Sequence, residues 1–234
     1  MAETMASRTT SETEESPRRH GEDLALDIAR MLEEDIVFGR LHPRERLIEE
    51  TIAARFGAKR HVVRLAIVEL ERLGLVDRAR NRGAVVRVYT EKEVEDINAV
   101  RELLESEAAS YIDLPLPPAA VEELEEIERQ HTAAVDAGDR RGVFRTNIAF
   151  HQALFAHCGN GALTEAINIF AQKSHAYRSI AVSDRAYQDW AVGAHWEMID
   201  AIRKEDQPRL VALCRAHLAP SKDHYINTLR ARYG

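Results

Sequence analysis

The sequence predicts a mainly α-helical fold, with an N-terminal winged helix-turn-helix followed by an all-helical antiparallel bundle of six or seven helices. Three observations carry this. Apolar residues recur at three- and four-residue spacing over most of the chain, as in helices with one buried face. Glycine and proline, which break helices, number only 11 and 7 in 234 residues. One segment, residues 75–88, departs from that period and reads as two short β-prone runs about a turn.

Residues 1–20 are rich in Ser, Thr and Glu with almost nothing apolar, and are expected to form a disordered tail. They lack the apolar run of a secretory signal, and no stretch of the chain approaches the ~18 apolar residues that cross a bilayer. Cys158 and Cys214 lie far apart, so no disulfide framework is expected, and the reading is a cytoplasmic protein without membrane contact.

A first module spans 21–89. Leu24, Ile28, Leu32 and Ile36 form one helical stripe, stopped by Gly39 with Pro43 beyond. A second helix is expected over Leu47 to Phe56, broken by Gly57-Ala58. A third runs from Lys59 to Leu73, with Val63, Ala66, Ile67 and Leu70 inward and Arg60, His61 and Arg64 outward. Leu75–Ala79 and Ala84–Val88 then flank Asn81-Arg82-Gly83, a hairpin wing in which Gly83 is free to take positive φ. Thr90 and Glu93 are spaced as a capping box, which opens the second module, 90–234. Helices are expected there over 91–111, 118–137, 140–157, 161–181, 185–204 and 206–230, with a proline-rich break at 114–118.

Charge is divided between the modules. Residues 40–88 hold twelve Arg or Lys against six Asp or Glu, a net +6, which leaves −13 on the rest of a chain of net −7. A basic module on an acidic body is the footprint of nucleic-acid binding. Arg60 and Arg64, four apart on one helix face, both point into one major groove if that helix enters it, and Arg suits bidentate contact with guanine. Lys59 and the helix N-terminus favour a phosphate, and Arg82 at the wing tip reaches the minor groove or backbone.

The segment Leu41-His42-Pro43-Arg44-Glu45-Arg46-Leu47-Ile48-Glu49, then Ile52-Ala53, Phe56-Gly57-Ala58-Lys59-Arg60-His61-Val62-Val63-Arg64, Leu70-Glu71 and Gly74-Leu75-Val76, resembles the GntR winged-helix signature. The resemblance implies that Arg60 and Arg64 contact bases or phosphates and that Gly83 places the wing. Arg44 stands where that pattern has Gly, and Lys59 and His61 where it has Ser and Thr. Lys59 cannot cap the third helix as Ser would, at a cost of ~1 kcal/mol. Lys59 and His61 are offered as added phosphate contacts, and Arg44 as a further candidate DNA-binding residue.

Three of the ten histidines stand out. His151 shares a helix face with Asn147 at i, i+4. His195 and His217 lie 22 residues apart on consecutive helices, at matched heights if the turn is near 204–206. Each sits in an apolar run. Such a set suits Zn, Ni or another borderline divalent ion, with Asn147 adding a carbonyl oxygen. Scattered core histidines are the alternative. Residues 91–225 resemble the FCD domain of FadR-type GntR proteins, through Val100–Glu105, Phe150–Leu154 with Gly159-Asn160, Ala194-His195-Trp196 and His217-Leu218. That resemblance implies a metal held by an Asp and three His, here Asn147, His151, His195 and His217, and a small carboxylate effector completing its coordination. Arg101 is placed to clamp such a carboxylate, or else to pair with Glu105 at i+4. Tyr177 and Arg178 are further pocket candidates, and Trp190 and Trp196 pocket wall or core.

The expected function is therefore a ligand-responsive, homodimeric repressor or activator of a metabolic operon, bound to an inverted-repeat operator in double-stranded DNA. It is not expected to be an enzyme. A metal-dependent hydrolase fused to a DNA-binding module, and a structural DNA-binding protein, are the other readings. Neither a zincin H-E-x-x-H nor a phosphate-binding loop occurs in the sequence.

Overall fold

The computed structural model describes residues 17–79, 83–178 and 184–233. Outside them lie residues 1–16 of the expected tail, the turn residues Asn81 and Arg82, and the expected helix end at 179–181. No described helix is long and apolar enough to cross a membrane.

The first module is α1 (Pro17–Val37), β1 (Arg46–Leu47), α2 (Glu49–Phe56), α3 (Arg60–Arg72), β2 (Val76–Ala79) and β3 (Gly83–Val86). Leu47 is a correction. The sequence put it in the second helix, but it pairs with Ala84 as β1 adds to the β2–β3 hairpin in the order β1-β3-β2. Its side chain is buried either way, and two residues are too few to show a strand's period. Leu32, Val63, Ala66, Leu70 and Leu75 are each at most 1% exposed and pack α1 and α3 onto the hairpin. Gly57 closes α2 at φ 62, and Lys59 precedes α3 without a side-chain cap bond, as its residue type dictates. Arg44 takes φ 66 where the family signature has Gly, and its N–H bonds Val86 O at 2.9 Å. A left-handed non-glycine residue costs about 1 kcal/mol or more.

The second module holds α4 (Glu91–Ser110), α5 (Pro118–Asp136), α6 (Arg140–Ala156), α7 (Gly161–Arg178), α8 (Arg185–Arg203), α9 (Gln207–Ala216) and α10 (Ala219–Tyr233). The Thr90–Glu93 capping box is formed, with Thr90 N donating to Glu93 Oε2 at 2.8 Å and Glu93 N to Thr90 Oγ1 at 3.3 Å. The single helix expected over 206–230 is instead two helices, α9 and α10. Pro220 has no N–H to continue α9, and it falls in the first turn of α10, where none is needed. α4 packs on α7 and α9, α5 on α6 and α8, and α8 on α9. Ile112, Leu124, Phe150, Leu154, Met198 and Leu210 are fully buried between them.

The modules are docked. Val37 of α1 is buried against Val135, Val143 and Phe144, and Phe38 meets Phe144 edge-on at 6.0 Å. Glu34, 4% exposed, accepts from Arg141 Nε at 2.7 Å and from Arg145 NH2 at 2.7 Å. Glu33 lies 2.7 Å from His175 Nδ1 on α7. In the linker, Tyr89 donates to Gly74 O at 2.9 Å, its ring meets Tyr177 edge-on at 5.9 Å, and its carbonyl accepts from the Tyr225 hydroxyl at 3.2 Å.

Candidate functional site

α3 presents Arg60, His61 and Arg64 to solvent, with Lys59 just before it and Arg44 on the loop ahead of β1, all exposed. Burial of Val62, Val63, Ala66, Ile67 and Leu70 fixes which way the helix faces. Arg60 NH2 pairs with Glu50 Oε1 at 3.0 Å and Arg64 Nε with Glu49 Oε2 at 2.9 Å, so both arginines lean on the first turn of α2. Gly83, at φ 77, opens β3 beside them, and a hollow is lined by Arg46, Arg60, Arg64, Glu49, Glu50 and Gly83. Arg46 joins this face through β1, whose second residue, Leu47, was expected to begin the second helix. Arg82 lies outside the described residues.

In the bundle, His151, His195 and His217 come together. Their ring centroids are 5.1, 4.8 and 4.8 Å apart, and one nitrogen of each lies within 4.8 Å of the others. α6 supplies His151, α8 supplies His195, and His217 is the residue that closes α9. His195 is fully buried and stacked on Phe150 at 4.1 Å, while His217 is 3% exposed and stacked on Trp190 at 5.1 Å. Asn147 is buried one turn before His151 on α6.

Sequence reasoning missed Glu128. This α5 residue is completely buried, and its Oε2 lies 2.7 Å from His195 Nδ1. Burial pushes its carboxyl up to about 9. A signal was present, because Ala120, Leu124, Glu128, His131 and Val135 form one buried helical stripe with a carboxylate inside it. His131, set aside in the sequence reading, lies 5.2 Å from His195 and 2.8 Å from Thr146 Oγ1.

The residues fit a divalent cation. Three imidazoles supply borderline donors, and a carboxylate on the outer nitrogen of one is the usual way a ligating histidine is oriented. Glu128 Oε1 has no hydrogen-bond partner among the described residues. A cation at His195 would supply the positive charge that a buried carboxylate lacks.

Beside this centre lies a cavity of about 400 Å³ with His151, Arg101 and Glu105 on its wall. Arg101 is 3% exposed and bonds Glu105 Oε1 at 2.9 Å and Ser174 Oγ at 3.2 Å, so the pairing offered as its alternative role is present. Burial opposes its charge, and Glu105 and Tyr177 restore it, leaving the guanidinium pKa raised. Tyr177 packs with Tyr89, Val94, Tyr225 and Ile226 rather than on the cavity wall, and the Arg178 side chain lies outside the described residues.

Residues 24–86 match the family model described as bacterial regulatory proteins, gntR family, and residues 96–220 match the FCD domain. A probable D-xylose utilization operon transcriptional repressor from Paenarthrobacter nicotinovorans is 28% identical over 183 residues, covering 78% of this chain and 80% of that protein. An uncharacterized HTH-type transcriptional regulator from Streptomyces ambofaciens is 28% identical over 195 residues, covering 82% and 80%. In fold, the chain is similar to E. coli McbR/YncC, with a TM-score of 0.70 at 22% identity over 90% of this chain and 99% of that one. It is also similar to a putative GntR regulator from Rhodococcus sp. RHA1, with a TM-score of 0.74 at 20% identity over 88% and 98%.

Proposed function

Because the chain belongs to the GntR family of bacterial transcriptional regulators, in the branch with a C-terminal FCD domain, we propose that it couples operator occupancy to a small carboxylate held at a metal-containing histidine centre. That family and these relatives are regulators, not enzymes, which sets aside the hydrolase reading. The protein works in the cytoplasm as a homodimer. Two copies of α3 enter two half-sites of an inverted repeat, since a twofold protein demands a twofold site. Arg60 and Arg64 reach base edges. Arg44, Lys59, His61 and the wing at Arg82 and Gly83 hold the backbone.

Behind them, His151, His195 and His217 bind Zn, Ni or a similar ion, with Asn147 as the fourth protein donor. The effector carboxylate would complete the coordination from the cavity, with Arg101 on that side; Tyr177, which packs off the cavity wall, is not assigned a contact with it. The observation that carries the reading is the convergence of three histidines from three helices around a braced His195.

The test has two arms. Untagged protein titrated with Zn²⁺ should bind one ion per chain, and the His151→Ala/His195→Ala double variant should not. Arg60→Ala and Arg64→Ala should each abolish specific retardation of the cognate promoter fragment. Unchanged metal binding by the double variant overturns the sensing half, and unchanged retardation in both arginine variants overturns the reading half.

A further inference from the structure

The cavity beside His151 is not enclosed by the bundle alone. Leu26, Ala29, Arg30 and Glu33 of α1 form one wall, and Glu69 and Leu73, at the C-terminal end of the α3 segment, extend it. The opposite wall is α4, α6 and α7, through residues such as Arg101, His151 and Phe155. The helix that carries Arg60 and Arg64 at one end therefore abuts the ligand space at the other. The docking contacts flank the same space, because Glu33 and His175 both line it while Glu34, one residue on, binds Arg141 and Arg145.

The wall also constrains the ligand. Arg101 is already neutralised by Glu105, and Arg30 is paired with Asp27. Glu33, Glu69 and Glu105 face the cavity as well, each paired in turn with His175, Arg72 and Arg101. Both arginines on the wall are thus already paired, so a second ligand carboxylate would lose its hydration there and gain no unpaired arginine in return. Leu26, Ala29, Leu73, Phe155 and Ile167 offer an apolar lining instead. We infer that the effector is a monocarboxylic acid with an apolar body, whose head sits at the His151 end and whose body is clasped between α1 and Leu73 of the DNA-binding module and the helices of the bundle.

The ligand is then part of the contact between modules, and its binding is linked to their docking. By reciprocity, loosening that docking must weaken ligand affinity by the factor with which the ligand tightens it. This inference rests on the proposed carboxylate site and adds its second wall and its preference for one charge.

The test uses the full chain loaded with Zn²⁺ and a panel of straight-chain mono- and dicarboxylic acids from two to eight carbons, read by thermal shift and calorimetry. Monocarboxylates of the longer members should stabilise the protein, and dicarboxylates of equal length should bind at least tenfold more weakly. Leu26→Trp, at a half-exposed helix position, fills the cavity from the α1 side; it should lower affinity for the binding acids at least tenfold while leaving Zn²⁺ binding intact. Arg30→Trp serves if Leu26→Trp does not fold. Glu34→Gln, outside the cavity, should weaken the same acids severalfold. If His151→Ala abolishes acid binding but Leu26→Trp and Glu34→Gln bind as the parent does, the effector lies wholly in the bundle and this inference fails while the site stands. Equal or better binding of dicarboxylates overturns the single-charge preference. If no acid binds, or His151→Ala leaves binding unchanged, the carboxylate reading falls and this one with it.

Discussion

The two arginines of α3 are not free in the absence of DNA, and releasing them has a calculable effect. Arg60 and Arg64 hold Glu50 and Glu49 at 3.0 and 2.9 Å, with the arginine side chains 61% and 63% exposed. An exposed ion pair contributes about 0.2–1 kcal/mol. If both pairs must open for the guanidinium groups to reach base edges, the pairs oppose binding by about 0.4–2 kcal/mol in total. At 1.4 kcal/mol per tenfold, the Glu49→Gln/Glu50→Gln variant should bind operator about 2- to 30-fold more tightly per protomer. Removal of two negative charges beside the phosphates adds in the same direction. The assay is fluorescence anisotropy with operator and scrambled duplexes over a salt series, repeated with Arg60→Ala in both backgrounds to isolate the pairwise coupling. Equal or weaker operator binding by the double glutamine variant would refute the reasoning, and would mean that the glutamates aim the arginines rather than withhold them.

Three further outcomes follow from the geometry. Arg44→Gly should raise stability by about 0.5–1 kcal/mol, because the left-handed backbone at φ 66 costs Arg more than Gly; the same change should weaken DNA binding, and a lower melting temperature would contradict the strain. Glu34→Gln should destabilise by about 1–3 kcal/mol in denaturant melts, less than for a wholly buried pair because Arg141 and Arg145 are 52% and 60% exposed. Burial raises the Glu34 carboxyl, but hydrogen bonds from Arg141 and Arg145 outweigh it and hold it below its ordinary value. The stability it contributes is therefore complete above the unfolded value near pH 4.3 and is lost as pH falls through the lower folded value. The parent should lose more melting temperature than Glu34→Gln does below about pH 4. Glu128→Gln should keep the fold yet weaken Zn²⁺ binding about 10- to 100-fold, as loss of a partner that orients a ligating histidine does; competition with a chromophoric chelator measures it, and an unchanged affinity would show that Glu128 does not brace His195.

Much of this was legible because helical periodicity is redundant. A stripe such as Leu24, Ile28, Leu32 and Ile36 states its inward face four times, and Thr90 with Glu93 marks a helix start by chemistry alone. The convergence of His195 and His217 was predictable from helix rise and the position of one turn. Pro220 carries a legible signal that α9 cannot run on, and the single helix expected over 206–230 did not take it into account. Leu47 was not readable, since a two-residue strand has no period. Glu128 and the second wall of the cavity depend on how helices distant in sequence meet. Local pattern does not encode that meeting, although a carboxylate in an apolar stripe is a hint worth following.

Gly74 and Tyr89 bear on how proteins of this build can be recombined. Gly74 takes φ 74, and a Cβ there would run into the Tyr89 hydroxyl. The turn that follows α3 and the strap leading to the bundle are thus cut to fit each other. A chimera that transplants the front module onto a relative's bundle inherits this constraint. If the join falls between residues 74 and 89, the chimera should keep the packing of Tyr89 on Gly74 only when the matched glycine and tyrosine travel together.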